Sequence, residues 1–250
     1  MKFVFYCLLI VFISSCTSYV QLYETRPIST LQSSADSYTF ENDTLKIVYS
    51  FWANHGSLSY SVFNKMEVPI YIDWKKSSYI RNSQKINYWK DITSTSGMFN
   101  TSGSVFRGSI YENSLLNVTS VKPESISFIA PKSTIYLSQF ALFTSPKTDL
   151  SEVFDIDSAI RTDNSAKKTE LRSQKYNETN SPLIFRNFLT ISTSDKFEKD
   201  AYIDNGFYLY KVTEMDKRHF QGKEIMNNDD QVVGYQLPFK TEKGFYVIVK

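Results

Sequence analysis

Leu45-Lys46-Ile47-Val48-Tyr49-Ser50-Phe51-Trp52, then Asn54-His55-Gly56, then Leu58-Ser59-Tyr60-Ser61-Val62 is the stretch that decides the fold. In the first run Leu45, Ile47, Tyr49 and Phe51 alternate with Lys46, Val48, Ser50 and Trp52; in the second Leu58, Tyr60 and Val62 alternate with Ser59 and Ser61. Successive side chains of a strand point to opposite faces, so each run presents one apolar face. Two such runs around a Gly-containing break predict a β-hairpin.

Working outward, further strands are expected at Val68 to Trp74, Ser125 to Ala130, Thr134 to Ala141, Leu183 to Thr193, Gly206 to Thr213 and Phe245 to Val249. Pro69, Pro131, Pro182 and Pro238 fall at the ends of runs, where a missing N–H costs no ladder bond. No long helical period competes. The expectation is an all-β, antiparallel sandwich of immunoglobulin-like type with at most short helices, occupying residues 38–250. Two polar stretches interrupt it. Ser94 to Ser104 reads as a connection, and Ser145 to Ser181 as a long insertion in which Leu150, Val153, Phe154 and Ala159 could form a short helix.

The chain has 250 residues, 42% of them hydrophobic and 16% aromatic, which is enough to bury a core and excludes global disorder. Its 28 Lys plus Arg stand against 26 Asp plus Glu, a formal charge of +2. That balance lacks the basic excess that phosphate neutralisation needs, so no nucleic-acid partner is expected.

Residues 1–16 read Met-Lys-Phe-Val-Phe-Tyr-Cys-Leu-Leu-Ile-Val-Phe-Ile-Ser-Ser-Cys: one positive charge, an apolar run from Phe3 to Ile13, then small residues. This is the layout of a secretory signal peptide. As a helix the run would reach roughly 16 Å against a hydrocarbon core of about 30 Å, too short to span. Its end, Ile13-Ser14-Ser15-Cys16, resembles the lipobox of bacterial lipoproteins. The resemblance covers only the signal region, and it implies cleavage after Ser15 with residues 1–15 removed. It also implies a diacylglyceryl group on the Cys16 sulfur and acylation of the freed amine. One acyl chain binds a membrane only marginally, so two or three make the stable anchor. Without lipid, cleavage would leave a soluble secreted protein.

Cys7 would leave with the signal and Cys16 would be consumed by lipid, so the mature chain would hold no free thiol and no disulfide. Loss of Lys2 would lower the side-chain charge from +2 to +1. Residues 16–37 read as the lipidated Cys and a flexible tether of about 25 Å, rich in hydroxyl side chains and without a period. Surface-exposed lipoproteins of some bacterial groups carry an acidic cluster after the lipidated Cys. Thr17, Ser18, Tyr19, Val20 and Gln21 are uncharged, so a lipid-anchored place at the outer membrane, facing the periplasm, is expected. Pro69 to Ser78 and Ser181 to Thr190 also look like stretches of uncharacterised bacterial lipoproteins, which bring no activity with them.

The search for chemistry finds mainly absences. Ser165-Ala166-Lys167-Lys168 matches Ser-x-x-Lys, but its companion motifs are missing: the nearest are Ser194-Asp195-Lys196 and Lys240-Thr241-Glu242. No Gly-x-Ser-x-Gly elbow, phosphate-cradling loop or dinucleotide fingerprint occurs. His55 sits beside Gly56 in the hairpin break, where a turn explains it, and His219 lies too far away in sequence to make a His-x-x-x-His pair. Asp155-Ile156-Asp157 fails calcium-loop spacing, and Asn227-Asn228-Asp229-Asp230 suits a turn as well as a cation. No catalytic residue, metal or cofactor is therefore expected, although paired carboxylates are a spatial feature that a sequence does not display.

Aromatics are the most suggestive group. Trp52, Tyr71, Trp74, Tyr79, Tyr88 and Trp89 crowd one third of the chain, and core packing is their commonest use in a sheet. If they are exposed, Trp52, Trp74 and Trp89 are the candidates for stacking against a ligand. Two function classes follow. One is a lipid-anchored, non-catalytic envelope module that binds or holds an envelope protein; the other is a surface lipoprotein that binds or processes a glycan or peptide.

Overall fold

The computed structural model describes residues 18–28, 31–34, 36–91, 94–106, 109–121, 123–151, 154–163 and 165–249, and of 94–106 and 109–121 the backbone alone. Cys16 and Ser15 lie outside the described residues. The strands, in chain order, are β1 (Tyr19–Pro27), β2 (Gln32–Ser33), β3 (Tyr38–Glu41), β4 (Leu45–Ser50), β5 (Ser57–Asn64), β6 (Ile70–Asp73), β7 (Ser78–Arg81), β8 (Gln84–Asn87), β9 (Ser94–Phe106) and β10 (Ser109–Val121). They continue with β11 (Ile126–Ile129), β12 (Thr134–Ala141), β13 (Asp155–Ile160), β14 (Lys168–Lys175), β15 (Ile184–Ser192), β16 (Ala201–Asp216), β17 (Glu224–Met226), β18 (Val232–Tyr235) and β19 (Gly244–Val249). Between β16 and β17 lies α1 (Lys217–Gln221), the one helix among the described residues.

Two antiparallel sheets make the body, the expected all-β arrangement. The smaller has the order β12-β5-β4-β3-β2. The larger follows β11-β6-β15-β16-β1-β19 and branches on one side of β16, whose first half pairs with β15 and whose second half pairs with β14. The hairpin read from sequence is present: β4 and β5 pair from Leu45↔Asn64 to Ser50↔Ser59. Leu45, Ile47, Tyr49, Phe51, Leu58, Tyr60 and Val62 all turn inward and are buried. His55 and Gly56 take left-handed conformations in the break, which clamps β19 through His55 N–H to the Tyr246 carbonyl at 2.7 Å. Gly56 is needed for space as well, because a Cβ there would stand 2.8 Å from Phe245 Cγ.

Facing rings fill the space between the sheets. Phe207 of β16 meets Tyr49 and Phe51 of the smaller sheet edge-on, both at 5.0 Å, and stacks on Phe185 of β15 at 5.2 Å. Such pairs add roughly 0.5–1.5 kcal/mol each beyond the area they bury. A second, smaller cluster of Val20, Leu22, Met215 and Phe220 lies between α1 and the outer face of the larger sheet, with Trp52 and Tyr246 against it.

Four expectations are corrected. Within the expected tether over residues 16–37, Tyr19–Pro27 is instead an interior strand, paired with β16 on one side and β19 on the other. Val20 and Leu22 face the small cluster while Tyr23 faces the main core, so both faces are covered and the polar alternation that marks a half-exposed strand is missing. The polar insertion at 145–181 contains β13 and β14, tied to β16 by pairs such as Arg172↔Glu214. Its side chains are largely exposed, and the backbone ladder holds it, together with Leu171 against the small cluster and Tyr176 against the main core. The short helix does not form there; Ala159 lies in β13, where Ile156 and Ile160 favour extended backbone, and Val153 lies outside the described residues. The connection Ser94 to Ser104 belongs to β9, which pairs with β10 from Val121↔Ser94 to Ser109↔Phe106.

Candidate binding cleft between the sheet edges

The sandwich opens where edge strand β11 of the larger sheet approaches edge strand β12 of the smaller. A cleft of about 610 Å³ lies there, walled by Trp74, Tyr88, Trp89, Leu137 and Phe140. That volume suits a small ligand or a few units of a polymer. Three local devices shape it.

Trp74 ends the β6 run. The turn after it is fixed by Asp73 Oδ1, which accepts the N–H groups of Lys75 at 2.9 Å and Lys76 at 3.2 Å. The Trp74 indole N–H donates to Ser127 Oγ at 2.7 Å, which locks the ring against β11. Trp89 follows β8, and its N–H donates to the Pro123 carbonyl at 3.1 Å, while Lys75 Nζ sits 4.5 Å from its ring centroid. Both indole donors are thus engaged within the protein; Trp74, 7% exposed, backs the wall, and the half-buried Trp89 offers ring surface outward. The third device is a bulge in β12 between Ser138 and Phe140. It re-aims Gln139, whose Nε2 donates to the Tyr88 carbonyl at 3.0 Å, and puts Phe140 into the wall.

Behind the wall Tyr88 is buried and its hydroxyl donates to Asn187 Oδ1 at 2.8 Å. Burial pushes the pKa of that phenol well above the ordinary tyrosine range, so it stays a neutral donor. Lys90, Glu124 and Gln139 stand exposed at the rim. Glu124 is the one carboxylate among the described lining residues, whereas glycoside hydrolysis calls for two.

The three tryptophans part company. Trp74 and Trp89 share the cleft, Trp74 almost wholly buried and Trp89 half-buried. Trp52 is elsewhere, stacked on Phe220 at 6.0 Å and against Tyr246 at 5.1 Å. Tyr79, also from the aromatic-rich third, packs on Phe140 at 5.1 Å from the core side. No sequence signal picked out Gln139 or Phe140, because a bulge changes which face a residue takes.

No family model, curated protein or solved structure matches this chain. Its chemistry is therefore read from its own residues. Ser165 Oγ donates to Asp163 Oδ1 at 2.6 Å, a turn contact that holds the Asp163 carboxyl down at about 2, with Arg161 adding to the effect. His55 occupies the turn at the hairpin break. His219 is buried, and its Nδ1 accepts the Thr162 N–H at 3.3 Å. Asn227 Oδ1 accepts the N–H groups of Asp229 at 2.9 Å and Gln231 at 2.8 Å, closing the β17–β18 turn. Among the described residues no group of three or more His, Cys, Asp or Glu side chains could hold a metal ion.

Proposed function

We propose that this chain is a lipid-anchored lipoprotein of the bacterial envelope, on the periplasmic side of the outer membrane. Its body binds, without cleaving, a saccharide chain in the cleft between the sheet edges. The anchor half rests on Ile13-Ser14-Ser15-Cys16 and the apolar run before it. The cleft carries the binding half: the half-buried Trp89 ring, backed by Trp74, lies beside a rim of Gln139, Glu124 and Lys90. A sugar ring has an apolar face of C–H groups and an equator of hydroxyls. Aromatic surface serves the first, and carboxylate, amide and ammonium groups serve the second.

The reading favours binding over processing because Glu124 has no second carboxylate opposite it among the described lining residues. It is tested by titrating the protein with soluble cell-wall glycan fragments while following tryptophan fluorescence and heat. Saturable binding that Trp89→Ala removes and Trp52→Phe leaves intact supports the site. Absence of binding, or equal binding by the Trp89→Ala protein, overturns it.

A further inference from the structure

On the anchored reading, only two residues, Thr17 and Ser18, separate the acylated Cys16 from the first strand. Cys16 stands three positions before Tyr19, and Tyr19 is already paired with Asp216 of β16 and Val249 of β19. Three residues fully extended reach about 10 Å, so this end of the larger sheet cannot leave the headgroup layer. The residues of that end therefore determine what the body presents to lipid.

α1 begins at Lys217, directly after Asp216, and Phe220 packs in one cluster with Val20. The β17–β18 hairpin springs from the same place, its base closed by Gln236 N–H to the Lys223 carbonyl at 3.0 Å and Leu237 N–H to the Gln221 carbonyl at 3.1 Å. Register puts Met226 opposite Val232 and Glu224 opposite Tyr235. Met226 and Val232 therefore share a face beyond the register shift, 48% and 46% exposed, while at the hairpin base the exposed Glu224 stands beside Tyr235, which is 38% exposed, and both line a polar cavity with Arg218 and Asp163. Val233 is 62% exposed and Ile225 45%. A two-stranded hairpin with apolar side chains open to water is unusual away from an interface.

We infer that this hairpin is a membrane-contacting element: Met226 and Val232 rest on the bilayer that holds the Cys16 lipid, with their apolar side chains at the acyl boundary, while Tyr235 and Glu224 at the hairpin base stay at headgroup level. The inference rests on the anchored reading of Cys16. The short leash is what selects lipid as the occupant, since the hairpin base stands beside the point where the chain enters the membrane. Asp229 and Asp230 at the tip are exposed and charged, so the hairpin lies along the surface rather than plunging tip-first. Tyr235 suits the headgroup level, where aromatic hydroxyls concentrate. A second consequence is orientation. β16 runs 16 residues away from the membrane end, roughly 50 Å, and the β15–β16 loop with Lys196 is held at its far end.

The test uses the full chain, processed in cells, purified and reconstituted into phosphatidylethanolamine and phosphatidylglycerol vesicles. Single cysteines at Met226→Cys, Val232→Cys and, as the distal control, Lys196→Cys carry a nitroxide label. Collisions with dissolved oxygen and with a water-soluble nickel chelate are measured for each. The mass of the mature N-terminal peptide is taken first. Acylated Cys16 with labels at 226 and 232 several-fold richer in oxygen collisions and poorer in nickel collisions than the label at 196 supports the contact. Acylated Cys16 with all three labels equally open to nickel overturns the contact while leaving the anchor in place. Labels at 226 and 232 screened from both reagents also overturn it, because protein rather than lipid then covers the hairpin. An unacylated Cys16 overturns the anchor, and the contact with it.

Discussion

The hydroxyl of Tyr49 in the smaller sheet accepts hydrogen bonds from Asn205 Nδ2 at 2.8 Å and Asn187 Nδ2 at 3.1 Å, both in the larger sheet. Asn187 in turn accepts from Tyr88, whose ring forms part of the cleft wall. A polar chain thus runs from the centre of the sandwich to the cleft wall, through groups that are all buried. Breaking it strands amides away from water, which costs about 1–3 kcal/mol for each group left unpaired.

Tyr49→Phe should therefore lower the stability of the protein by about 1–3 kcal/mol in a denaturant titration. Tyr79 supplies the contrast. Its ring is wholly buried but its hydroxyl has no partner among the described residues. Tyr79→Phe removes a polar atom that gains nothing, so the midpoint should hold or rise. Equal losses for both substitutions would mean that the Tyr49 bonds are not what joins the sheets.

The two cleft tryptophans should separate binding from stability. Trp74 is 7% exposed and its indole is tied to Ser127, so Trp74→Ala should cost about 3–5 kcal/mol as a large core truncation. Trp89 is half-buried near the rim, and its replacement by Ala should cost far less stability while removing saccharide affinity. Thermal melts and titration calorimetry on the same pair of variants check both halves.

Stability should fall with acidity through His219. Burial pushes the pKa of its imidazolium below the ordinary value near 6.5, and Arg161 pushes the same way against Asp216 and Asp163. Nδ1 accepts the Thr162 N–H, so a proton there would face a donor. The unfolded chain binds a proton more readily than the folded one. The neutral-imidazole contribution is present above the unfolded value and is lost as pH falls from about 6.5 toward the lower folded value. Melting temperatures between pH 7 and 5 should drop for the wild type and less steeply for His219→Gln.

Strand β1 should exchange its amides slowly. The Gln21 side chain donates to the Thr148 carbonyl at 2.7 Å and accepts the Thr148 N–H at 2.8 Å, all of it buried. Gly244 of the neighbouring strand leaves room for the Tyr23 carbonyl, which would stand 2.5 Å from an added Cβ. Hydrogen exchange at Leu22 and Tyr23 should rival the strongest protection in β16, and Gly244→Ala should abolish it together with folded yield. Fast exchange there would restore the flexible tether.

Legibility in the sequence followed solvent exposure. β4, β5 and β12 each keep one wet face, so their alternation is visible and their limits come out nearly as read. β1 is covered on both faces and carries buried Gln21, whose polarity looks like surface until Thr148 is seen beside it. β14 is the reverse case, mostly polar and held by its ladder to β16, and the sequence now seen as β9, paired with β10, is likewise mostly polar. In the cleft Trp74 and Trp89 were visible as aromatics, but Trp52 belongs to another cluster. Gln139 and Phe140 enter through a bulge that no period announces. Lys75 over the Trp89 ring depends on the turn after Trp74, a spatial relationship rather than a spacing.

Anchoring and hairpin contact with lipid both begin from one residue, and mass spectrometry of the mature amino-terminal peptide from the native membrane fraction addresses it most directly. The anchored reading predicts a peptide that starts at Cys16 and carries the mass of two or three acyl chains. A peptide that starts at an unmodified Cys16, or one that retains residues 1–15, would contradict it.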